Sequence, residues 1–128
     1  MLKSISHTFH LIRHHFRDVG LSSKRSPKWQ TIKKHFLQTN PTCAVCGNNV
    51  HLNVHHILPF HLFPELELDV NNLITLCMFR LECHLRIGHG SNYAGFNKNI
   101  IRDAAILRKD ISKFDIVAAR IKRDNQTS

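Results

Sequence analysis

Four cysteines, Cys43, Cys46, Cys77 and Cys83, stand as two pairs separated by 30 residues. A tetrahedral zinc takes four soft donors at about 2.3 Å, and short loops present them two at a time. The first pair is a tight Cys-x2-Cys knuckle followed by Gly47, which supplies a turn that lets backbone amides face the sulfurs. The second pair has the looser Cys-x5-Cys spacing, with Met78 to Glu82 between its members. The N-terminal residues show no secretory leader pattern, so a reducing compartment is expected, where clustered cysteines are metal ligands more often than disulfides. A chain this small gains from such a staple, because structural zinc contributes folding free energy directly.

Histidines lie between and after the cysteine pairs. His55 and His56 close an alternating stretch, Leu52-Asn53-Val54-His55-His56. On a strand the two point to opposite faces. One can hold a metal while the other addresses something different, provided that the strand end brings both to one pocket. Histidine takes a proton from water near neutral pH, its free pKa being about 6.5. An asparagine amide can orient that imidazole without competing for the proton. An activated water, a cation on the oxygens and fixed geometry are the requirements of phosphodiester hydrolysis.

The elements that must position these groups are legible in part. Ile5, Phe9, Ile12, Phe16 and Val19 mark one face of an amphipathic helix, followed by a linker, Gly20 to Arg25. Ser26-Pro27 predicts a helix start, with Trp29, Ile32, Phe36 and Leu37 buried, Lys28, Lys33 and Lys34 wet, and Asn40-Pro41 as the stop. Leu52 to His56 reads as a strand. Leu58 to Val70, with Pro59 and Pro64, reads as a loop in which Glu65, Glu67 and Asp69 make structural hydrogen bonds, with an arginine as a possible partner. Leu73, Ile74 and Leu76 suggest a second strand or a helix start. Ile100, Ala104, Leu107, Ile111, Phe114, Ala118 and Ile121 form one long helical stripe, with Ser112 and Asp115 as a capping box that could restart it.

Charge is uneven. Residues 1–40 carry eight Lys and Arg against one Asp, and residues 98–128 carry eight against four Asp. The centre has two against four. Two basic flanks around a slightly acidic centre suit a polyanion gripped on both sides of a site. No apolar run reaches the ~18 to 20 residues of a membrane span. The expected organisation is a basic amphipathic arm over 1–25, a zinc-bound domain over 26–110, and a basic C-terminal helix and tail over 111–128.

Trp29 through Cys46-Gly47, then VHHILPFHLFPELELDVNNLITLC, then Cys83-His84 and Gly88-His89, resemble the HNH or ββα-metal (His-Me finger) nucleases, especially small stand-alone ones of phages. The resemblance covers residues 26–110. It implies an α+β fold, a zinc-stapled ββα-metal core with flanking helices, in which a β-hairpin and a helix surround one catalytic cation. His55 falls on the first metal-ligand position, often an aspartate. His56 falls on the general base, Asn72 on the asparagine that orients it, and His84 on a metal ligand carried by the helix.

Some relatives place a second histidine four residues beyond His84, but here that residue is Gly88; His89, one step further, reaches the metal if the helix ends at Gly88. Imidazole ligands favour Mn²⁺, Ni²⁺, Co²⁺ or Zn²⁺ over Mg²⁺. The implied partner is DNA, with Lys28, Lys33, Lys34 and Arg86 as candidate contacts, and no membrane. The implied location is cytoplasmic, in the host if the chain is phage-encoded. A zinc module that only binds nucleic acid and an RNA nuclease are the alternative readings. The first has no use for His55, His56, Asn72 and His84 together; the second shares them. Oligomeric state stays open.

Overall fold

The computed structural model describes residues 24–127; the amphipathic helix expected over 5–19 lies outside them. Helix α1 spans Trp29–Thr39. Its N-cap position is Lys28 and not the expected Ser26, and no side chain caps it; Ser26 Oγ instead accepts from the Lys28 amide at 3.1 Å in the turn that leads in. Strands β1, Leu52–His56, and β2, Leu73–Cys77, form an antiparallel pair in which Leu52 faces Cys77, His55 faces Ile74 and His56 faces Leu73. Leu73 to Cys77 is therefore a strand and not a helix start. The loop between them holds two short 3-10 turns, Pro64–Leu66 and Val70–Asn72, the second capped by Asp69.

Strand periodicity sorts the side chains into two cores. Val54 and Leu73 pack with Trp29, Ile32, Phe36 and Leu37 of α1. Ile74 and Leu76 join Ile87, Ile100, Leu107, Phe114 and Ile121 on the opposite side, together with three buried cysteines. A two-stranded hairpin is marginal alone, and three or more strands or a packed helix are needed for stability. Here both faces of the pair are covered.

The C-terminal stripe is two helices and not one. α2 runs Ile100–Lys109 and α3 Phe114–Thr127. Asp110 breaks the helix with extended backbone, and its carboxylate accepts from the Ser112 amide. Asp110 thus takes the capping role expected of Ser112, and Ile111, expected in the stripe, is exposed. The fully buried Asp103 joins the pieces: it accepts from Asn97 Nδ2 at 2.8 Å and pairs with Arg120, while Asn97 also donates to the Ile87 carbonyl. A buried carboxylate with these partners ties α2 and α3 to the segment after Cys83. No helix among the described residues is long and apolar enough to cross a membrane.

Candidate active site and cysteine cluster

The knuckle at Cys43 forms around Gly47, whose φ of +77° lies in the left-handed region that glycine enters without steric cost. Its amide donates to the Cys43 carbonyl at 2.9 Å, and the amides of Val45 and Cys46 bear on the Cys43 sulfur. The insertion between Cys77 and Cys83 turns through two further left-handed residues, Arg80 and Glu82. The turn restores what the longer spacing would lose: the Sγ atoms of Cys43, Cys46, Cys77 and Cys83 lie within 4.8 Å of one another. As thiols they strain each other's protonation. The Cys83 thiol holds Cys43 down at about 4, while burial raises Cys46 to about 11 and the Cys43 interaction drives Cys83 up. Four sulfurs so close cannot all ionise without a cation, and a divalent ion is the group this donor set fits.

A second cluster is made only of imidazoles. His84 begins a π-helical turn, His84–Gly88, and the His89 amide donates back to the His84 carbonyl at 3.0 Å. This i→i+5 bond widens the turn by one residue. On an ideal α-helix His89 would fall about 140° from His84; the π turn returns it to the same face. His89 Nδ1 lies 2.7 Å from the Gly95 carbonyl, which can only accept, so Nδ1 carries the proton. His84 Nδ1 likewise faces the Met78 thioether at 2.9 Å. Each ring is left with a bare Nε2, and the two nitrogens stand 3.3 Å apart.

His55 enters from β1 as the third member. Its ring lies edge-on to both, with centroids 5.0 and 4.7 Å away. Gly88 permits this approach, since a Cβ there would come within 3.1 Å of the His55 ring. His55 Nε2 is buried without a hydrogen-bond partner. One nitrogen from each of His55, His84 and His89 lies within 4.8 Å of the other two. Burial lowers the pKa of all three, and the neighbouring histidines lower His55 further; His84 is held at about 4. The rings are neutral near pH 7, with lone pairs converging and no proton between them. An orphaned buried nitrogen and two facing lone pairs fit a metal cation.

His56, on the other face of β1, stacks on Trp29 with centroids 4.5 Å apart. Its Nε2 lies 2.9 Å from the Glu67 carbonyl. The carbonyl accepts, so Nε2 is protonated and Nδ1 keeps the lone pair. Burial lowers its pKa, partly offset by that hydrogen bond. Asn72 does not touch the imidazole. Its amide donates to the Leu58 and Leu66 carbonyls, and its oxygen accepts from the Leu58 amide. Asn72 thus acts through the loop, pinning both ends of the segment that carries Glu67. The side-chain orientation expected of the asparagine is supplied instead by a backbone carbonyl.

His55 and His56 both line one cleft of about 330 Å³, so residues on opposite strand faces border one site. His84, His89, Lys33 and His61 also line it, as do Arg25, Trp29 and Tyr93, whose place here the sequence did not reveal. Arg25 read as linker and Trp29 as core, and no motif or spacing marks either as part of the site. Of the candidate nucleic-acid contacts, Lys28 and Lys34 are exposed on α1 outside the cleft. Arg86 pairs with Asp115 of α3 at 3.2 Å and stacks on Phe114. Glu67 does take an arginine partner: Arg25 lies 3.3 Å from its carboxylate.

Residues 43–90 match the family described as HNH endonuclease. No curated protein and no solved structure matches the chain. The matched segment holds both cysteine pairs, the imidazole cluster, His56 and Asn72, so the similarity to the HNH endonuclease family covers the candidate site of this α+β protein.

Proposed function

We propose that the protein is a metal-dependent DNA endonuclease that hydrolyses phosphodiester bonds with His56 as general base. The observation that carries this reading is the shared cleft, where a bare, oriented imidazole nitrogen stands beside a cluster of three more that fits a cation. His56 Nδ1 takes the proton of the attacking water. The Glu67 carbonyl fixes its tautomer, Trp29 fixes its plane, and the depressed pKa keeps it neutral. His55, His84 and His89 would hold the divalent ion. Such an ion, when bound, supplies Lewis-acid stabilisation of charge on the phosphate and the leaving oxygen. The products are a 5′-phosphate and a 3′-hydroxyl. The cysteine site holds a separate zinc and serves the fold. Neutral imidazole donors favour Mn²⁺, Ni²⁺, Co²⁺ or Zn²⁺ over Mg²⁺ in the catalytic position.

The test is incubation of purified protein with supercoiled plasmid and each of these ions in turn. Relaxed and linear forms should appear with at least one transition ion and fade when His56 is replaced. Intact plasmid under every ion would contradict the reading.

A further inference from the structure

Arg25 lies outside the matched segment, yet three groups of the site hold it. Its guanidinium sits over Phe60 at 4.3 Å and over Trp29 at 5.3 Å, and Nη1 pairs with Glu67 Oε2 at 3.3 Å. The Arg25 side chain is half exposed, while that of Glu67 is 5% exposed. The other Glu67 oxygen accepts from the Ser26 amide at 3.0 Å. Both carboxylate oxygens are thus engaged by the protein. The guanidinium is not: its remaining donors have no partner among the described residues and border the cleft. A guanidinium offers five donors in a rigid fork that matches phosphate oxygens, and aromatic faces on which it rests keep that fork from swinging. Charge points the same way. Arg25 lies near enough to His56 to disfavour its protonation, and Lys33 lies near enough to His84 to do the same. The lining of the cleft therefore combines two cations, Arg25 and Lys33, with imidazoles.

We propose that Arg25 binds a phosphate of the substrate strand in this cleft, and that Glu67 ties it to His56 so that phosphate and base share one frame. The link runs through a single residue. Glu67 grips Arg25 with its carboxylate and His56 with its own carbonyl, so displacement of one displaces the other. Arg25 touches substrate; Glu67 is a positioning residue. The inference rests on the nuclease reading for its kinetic part and stands apart from it for its binding part.

The experiment uses full-length Arg25→Ala, Arg25→Lys and Glu67→Gln proteins, each checked for zinc content and melting temperature. Binding of a short DNA duplex is measured in the His56→Ala background across a salt series, and plasmid cleavage is measured with His56 intact. Arg25→Ala should weaken duplex binding about 10- to 100-fold, the size of a charge-assisted hydrogen-bond pair, and flatten the salt slope by about 0.9. Arg25→Lys should recover the slope, because charge is kept, and only part of the cleavage rate, because the fork is lost. Glu67→Gln should lower kcat more than it raises KM. Unchanged binding and slope in a folded Arg25→Ala protein would overturn the phosphate assignment. An unchanged kcat in Glu67→Gln would overturn the link to His56. If no variant and not even the wild type cuts plasmid, while Arg25→Ala still loses affinity, the nuclease reading fails and the phosphate site stands.

Discussion

At the scale of single residues, the site is governed by which imidazole nitrogen carries the proton. Three carbonyl or thioether acceptors, on Glu67, Gly95 and Met78, each take one N–H and thereby choose the nitrogen left bare. These choices have a consequence for pH. His84 is pushed down to about 4 by burial, then by His89 and Lys33, and His55 and His89 are also lowered. In the unfolded chain the same groups titrate near 6.5. Between those values the unfolded state binds more protons, so stability falls as pH falls from about 6.5 toward about 4 and is unaffected by these groups above that window. Melting temperatures measured without added divalent ion should decline through this range, and His84→Gln should shrink the decline. A flat profile would contradict the buried neutral cluster. The grouping of His55, His56 and His84 in one cleft was legible because the motif sets them together. His89 was not settled, since a π-helical turn leaves no periodic signature in five residues. Nor was the acceptor for His56, because a backbone carbonyl is the same in every residue type.

At the scale of elements, two short strands are held in place by what flanks them. The cysteine loops close one end, α1 covers one face, and α2 with α3 covers the other through Ile100, Leu107 and Ile121, which pack with Ile87. Removal of one thiolate should therefore unfold more than a loop. Cys46→Ser and Cys83→Ser are expected to lose the cooperative melting transition and the tightly bound zinc together, wild type holding about one zinc per chain. A folded, zinc-free variant would show that packing alone suffices. Helix α1, strand β1 and the loop after it followed from apolar spacing and from the prolines. The break at Asp110 did not, because apolar residues continue in register across it; an extended residue whose carboxylate caps the next turn interrupts a helix without disturbing the pattern. The Asp103 network was also hidden, since a charged residue on a basic helix reads as solvated until Asn97 and Arg120 are seen to enclose it. Asn125 of α3 adds a hydrogen bond to the His89 carbonyl, so the C-terminal helix reaches the imidazole cluster directly.

At the scale of the molecule, a net charge of +9 is carried by the flanks and not by the slightly acidic centre. Affinity for a polyanion and chemistry on it are accordingly separable. Each phosphate neutralised contributes a slope of about −0.9 to the dependence of log affinity on log salt. Charge reversal at exposed Lys28 and Lys34 should weaken duplex binding and flatten that slope while leaving the maximal cleavage rate unchanged; a fall in that rate at saturating protein would place these lysines in the chemistry. One comparison tests His56 as the general base. Wild type and His56→Ala, matched for zinc content, melting temperature and duplex affinity, are assayed on supercoiled plasmid with the best supporting ion. His56→Ala should lose about 10² to 10⁴ in cleavage rate, the range for a general base, with binding retained. Cleavage near the wild-type rate in the folded variant would contradict it.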